Sequence, residues 1–157
     1  MILFLLLLLG VSLGARAQFE EGTRYVSAQL SSLNLSFNEK SKYRFSVNAN
    51  AGYFFTDGWM AHATMGFEHI SNTVDSFTLG AGLRYHFYEN GLALGTGIEY
   101  TRLGPDATNL RLPLEVSYVY YLNHYLAIEP ALYYKLSLND LSKGSEMGFR
   151  IGLGYYF

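Results

Sequence analysis

Along most of this chain, apolar residues alternate with small or polar ones at a period of two, and turn-forming residues separate the runs. The last run is the clearest. Met147, Phe149, Ile151, Leu153, Tyr155 and Phe157 share one face, and Gly148, Arg150, Gly152, Gly154 and Tyr156 share the other. The pattern recurs upstream. Leu126, Ile128, Leu132, Tyr134 and Leu136 oppose Ala127, Glu129, Ala131, Tyr133 and Lys135. Leu110, Leu112, Leu114, Val116, Tyr118 and Tyr120 oppose Arg111, Pro113, Glu115, Ser117, Val119 and Tyr121. Segments 92–100 and 77–87 behave alike, and weaker runs lie near 23–37, 43–55 and 59–70. A change of phase at Ser31-Ser32 predicts a β-bulge. The pattern therefore predicts eight strands, each near the length a tilted strand needs to cross hydrocarbon. A sheet in lipid cannot leave an edge unpaired, so the expected fold is all-β: an eight-stranded antiparallel up-and-down transmembrane β-barrel.

The connections suggest an orientation. Thr56-Asp57-Gly58, Glu89-Asn90-Gly91 and Asn123-His124 are short, with hairpin chemistry. Beside them gather Tyr53, Phe54, Phe55, Trp59, Tyr85, Phe87, Tyr88, Tyr118, Tyr120, Tyr121 and Tyr125, joined by Tyr155-Tyr156-Phe157. Aromatic rings favour headgroup depth. The residues expected to form this belt are Tyr53, Phe55, Trp59, Tyr85, Phe87, Tyr118, Tyr120, Tyr155 and Phe157. The opposite connections, near 38–42, 71–75, 103–109 and 139–145, read as longer and more polar. The short turns are accordingly expected in the periplasm and the longer loops outside.

Residues 1–17 read as a secretory signal peptide, leaving 18–157 as the barrel domain. Ile2 to Leu9 is almost wholly leucine, and Ala15-Arg16-Ala17 offers a cleavage site before Gln18. No Lys or Arg precedes the apolar core, a departure from the usual leader. Cysteine is absent, which excludes disulfides, thiolate catalysis and thiolate-bound metals. A net charge of −2 gives no electrostatic basis for nucleic-acid binding.

The polar face concentrates the candidate chemistry. Arg44, Arg84, Arg111, Lys135 and Arg150 nearly balance Glu68, Glu99, Glu115 and Glu129. Paired charges can fill a narrow lumen, and an eight-stranded barrel is just wide enough for its side chains to fill. Glu115 is expected near Lys135, and Glu99 diagonal to Arg111. A soluble, lipocalin-like barrel would invert the faces. Against it, the polar face is rich in glycine and alanine, which suits a crowded interior. Pro113 and Pro130 predict local irregularity, since each removes a ladder hydrogen bond. His62 and His86 point inward but lack a third ligand, so no metal or other cofactor is expected. His69, with Ser71 and Asp75 nearby, nominally supplies the groups of a hydrolase. Those residue types also belong in any turn. Gly80-Ala81-Gly82 and Gly95-Thr96-Gly97 precede no helix and are not phosphate loops.

Arg150-Ile151-Gly152-Leu153-Gly154-Tyr155-Tyr156-Phe157 resembles the C-terminal β-signal of outer-membrane barrels, with Arg150, Gly152, Tyr155 and Phe157 at its four positions. Segments 51–58 and 89–95 also resemble the small outer-membrane β-barrel domains of OmpX-, OmpW- and OmpA-like proteins. The resemblance implies the outer membrane of a Gram-negative bacterium, with membrane lipids and the barrel-assembly machinery as partners; the signal peptide implies the secretion apparatus, and a monomer is expected. It leaves function open: a non-enzymatic structural or envelope-interaction role with a plugged lumen, a passive path for small or apolar solutes, or lipid A modification.

Overall fold

The computed structural model describes residues 19–33, 44–70, 74–104, 107–139 and 145–157; the expected signal peptide, 1–17, lies outside them. The strands are β1 (Arg24–Leu33), β2 (Arg44–Thr56), β3 (Trp59–Ile70), β4 (Val74–His86), β5 (Leu92–Leu103), β6 (Ala107–Tyr118), β7 (Tyr120–Tyr121), β8 (Leu126–Ser137) and β9 (Glu146–Tyr156). All pairings are antiparallel. β6 and β7 lie end to end against β8, so together they make one stave, and β1 pairs with β9. The sheet is thus closed with eight staves, as the alternation predicts. Stepping from Arg24 between register partners, the path runs Tyr53, Ala61, Leu83, Thr96, Leu114, Tyr134 and Met147. Met147 lies beyond Phe149, the partner of Leu33, so the circuit misses its start by roughly ten residues. That stagger is the signature of tilted strands in a closed barrel.

Irregularities fall where particular residues force them. Leu30 faces Ile151 but Leu33 faces Phe149, which puts the extra residue at the expected Ser31-Ser32 bulge. A second bulge at Phe55 has no such signal in the alternation. Pro113 pairs toward β8, and the β5–β6 ladder breaks between Thr96↔Leu114 and Glu99↔Arg111, where Gly97 faces the missing N–H. Pro130 pairs toward β9 and interrupts the other ladder opposite Tyr118, which separates β6 from β7. On the β5 side the stave stays bonded, with Val119 N donating to Gly91 O at 2.8 Å.

Asp57-Gly58 and Asn90-Gly91 turn through positive φ at glycine, 76° and 73° respectively. At the other end two connections are tighter than the sequence suggests. β3 and β4 are separated by 71–73 alone, and β5 and β6 by 104–106. The β5–β6 ladder there runs into a stretch read as loop, with Thr101 facing Asn109 and Arg102 facing Thr108, and Asn109 Oδ1 accepts from Ser137 on the other side. Only 34–43 and the link from 138 to 145 exceed the short turns.

The two faces are chemically opposite. Leu30, Met65, Phe67, Ile98 and Leu132 project outward and are exposed, while Gln29, Asn50, Thr101, Glu115 and Ser117 point inward and are buried. The soluble alternative is excluded by this inversion. A water-facing wall of large apolar side chains with charges inside is stable only when lipid is the solvent.

Candidate functional site

Strand parity delivers one side chain after another into the lumen, and stagger decides which of them meet. Arg84, only 1% exposed, reaches Glu115 Oε1 at 2.9 Å and Glu129 Oε2 at 3.3 Å. Tyr25 and Tyr156 each donate a hydroxyl hydrogen bond of 2.6 Å to Glu129, one to each carboxylate oxygen. Arg150 pairs with the second oxygen of Glu115. The Arg84 guanidinium also lies over the Tyr25 ring, 5.5 Å from its centre. Two cations and two anions from four strands thus neutralise one another across the barrel.

Nearer the other rim lies a looser tier. Lys135 Nζ is 2.8 Å from Glu99, and Arg111 is 3.5 Å from Glu146. Ser76 donates to Glu68 at 3.5 Å. The ring of Tyr133 lies below both Lys135 and Arg150, at 5.4 Å from each. The expected neighbours do lie close, Lys135 diagonal to Glu115 and Arg111 opposite rather than diagonal to Glu99, but each bonds a different partner. Lys135 faces Pro113 and Glu115 faces Tyr133, so the lysine turns to Glu99; Arg111 is directly opposite Glu99 yet bonds Glu146. A sequence read in simple hairpins cannot show these choices, because the tilt brings third strands within reach. The Arg44 side chain lies outside the description. Tyr25, Tyr133, Glu146 and Tyr156 are members that charge balance alone missed; their inward parity was the available signal.

The aromatics at the short-turn end divide in two. Tyr53, Phe55, Trp59, Phe87, Tyr120, Tyr155 and Phe157 point outward and are exposed, with Tyr85 and Tyr118 half-buried among them. Trp59 and Tyr85 meet at 5.0 Å, as do Tyr85 and Phe87. Phe54, Tyr121 and Tyr156 instead face inward, around Phe19. Within the terminal motif, Arg150 and Gly152 face the lumen while Tyr155 and Phe157 face out. Phe157 and Arg24 exchange backbone hydrogen bonds of 2.7 and 2.9 Å that close the seam.

His62 and His86 do point inward, and among the described residues no three His, Asp or Glu side chains gather as metal ligands. His69 is outward and faces Asp75 in register. Ser71 and the Asp75 side chain lie outside the description.

An exposed apolar wall, an aromatic girdle and an ion-paired lumen define a transmembrane β-barrel. No protein-family model matches the chain, and no curated protein matches it by sequence. Solved structures do. Neisserial surface protein A is similar with a TM-score of 0.67 at 16% identity, over 87% of this chain and 100% of that one. The N-terminal β-barrel domain of Pseudomonas aeruginosa OprF gives 0.63 at 16% identity, over 87% and 98%. A transmembrane barrel designed de novo gives 0.57 at 14% identity, over 88% and 98%. The chain therefore has the fold of the small outer-membrane barrels. Likeness at this level of identity shows the fold and not an activity.

Proposed function

We propose that this barrel is a non-enzymatic, non-conducting element of the outer membrane, acting through its structure and the surface it offers to the envelope. The observation that carries this reading is the Arg84–Glu115–Glu129–Arg150 tier, buried and mutually neutralised across the lumen. Removing any member would strand a charge in low dielectric, so the tier resists opening. The short turns at Gly58 and Gly91 lie at the rim that carries the aromatic girdle, which suits a periplasmic position for that rim. Arg150, Gly152, Tyr155 and Phe157 would serve recognition during assembly, and the barrel would work as a monomer. The test is single-channel recording of residues 18–157 refolded into a planar bilayer. A silent bilayer with inserted protein is expected; discrete conductance steps would overturn the plug.

A second reading, passage of small apolar solutes through the wall, has one observation in its favour. An open apolar trough of about 820 Å³ lies against the outer wall over the paired residues next to the β5–β6 break, and Gly95, Thr96 and Glu115 line both it and a smaller lumen pocket that Pro113 also lines. If solutes cross there, Pro113→Ala would slow the flux of an apolar dye into proteoliposomes by closing the ladder. Equal flux in both proteins removes this reading.

A further inference from the structure

Phe19 precedes the first strand, yet its side chain is 0% exposed. Its ring stacks on His86 with centres 4.6 Å apart and planes 29° apart, and lies 5.9–6.1 Å from Phe54, Tyr88, Tyr121 and Tyr156. Those neighbours come from four different staves and a turn. The backbone is held as firmly: Phe19 O accepts from Tyr88 OH and from Gly58 N, each at 2.9 Å. Gly22, at φ 93°, turns the chain so that its N–H reaches Phe54 O at 2.8 Å, and Glu21 N donates to Asp57 at 2.9 Å.

We propose that the short-turn mouth is a receptacle for one aromatic ring with its adjoining carbonyl, filled in cis by Phe19 as a removable stopper. The receptacle is a built site. Its ring contacts come from residues spaced widely along the chain, so it exists only in the closed barrel. It also has donors, Tyr88 OH and Gly58 N–H, aimed at a peptide oxygen. The stopper belongs to no strand and can lift while every ladder stays paired. Lifting it would wet His86 and the lumen behind it, on the opposite side of the charged tier from the polar rim. This inference uses the barrel but not the plug, so it stands whether or not the lumen conducts.

Histidine modification by diethylpyrocarbonate, mapped by mass spectrometry on the refolded protein, reads the stopper directly. His124, exposed in the turn before β8, reports reagent activity, whereas His86 is buried beneath Phe19. In Phe19→Ala, His86 is expected to react at least about tenfold faster, as local opening would dictate. Added benzyl alcohol should restore protection by filling the vacated space. Circular dichroism establishes that the barrel is folded. The chain has no cysteine, so Glu21→Cys with Asp57→Cys gives a single reducible tie across the stopper. His86 should react more slowly oxidised than reduced. The proposal is overturned if His86 reacts as fast as His124 in the unaltered protein, or stays protected in folded Phe19→Ala. If Phe19→Ala does not fold, equal His86 rates in the tied and untied forms overturn it.

Discussion

Arg84 shows how a single side chain in this lumen is judged by what surrounds it. Each of its two ion pairs is worth little as a net gain once desolvation is counted, but losing the guanidinium leaves Glu129 and Glu115 short of charge where water cannot replace it. Arg84→Ala is therefore expected to destabilise the refolded barrel by about 3–5 kcal/mol, read as a shift in the urea unfolding midpoint in lipid. Tyr25→Phe removes one hydrogen bond to a carboxylate and should cost less, about 1.5–3 kcal/mol. That these side chains face inward was legible in the alternation. Which of them bond was not, because Glu99 meets Lys135 and Arg111 meets Glu146 only through the stagger.

Among the strands, the two prolines separate what a strand shows locally from what its neighbour imposes. Pro113 and Pro130 announce irregularity in their own sequence. The break at Val119 does not, since it is caused by the missing N–H of Pro130 one strand away. Pro130→Ala would supply that donor to Tyr118. Hydrogen exchange should show the new amide at 130 protected, making β6 and β7 continuous. The stability change should stay within about 1 kcal/mol, because the added hydrogen bond is offset by a freer unfolded chain. The stopper residue Phe19 was illegible for a different reason. It lies in no alternating run, and nothing near it in sequence specifies the four staves and the turn that enclose it.

For the whole barrel, the deciding quantity is which face meets lipid. Ile98, 56% exposed on the outer wall, sits in the middle of β5. Ile98→Arg is expected to cost about 2–4 kcal/mol if the wall faces hydrocarbon, measured by equilibrium unfolding in vesicles. The same change at a water-facing position would be close to neutral. The class of fold was readable from periodicity and turn chemistry because a membrane imposes both along the entire chain. Loop length was the weaker guide: the links at 71–73 and 104–106 are as tight as the opposite turns.

The central tier also constrains how such a sequence can drift over generations. Glu129 is hydrogen-bonded to Tyr25, 104 positions away, and ion-paired to Arg84, 45 positions away. Lipid-facing positions can exchange one apolar residue for another singly, each step almost free. The tier cannot, since any single loss leaves an unmatched charge. Lineages of this barrel would then diverge quickly on the outside while the charged inner positions change only in concert, as one inherited unit scattered over four strands.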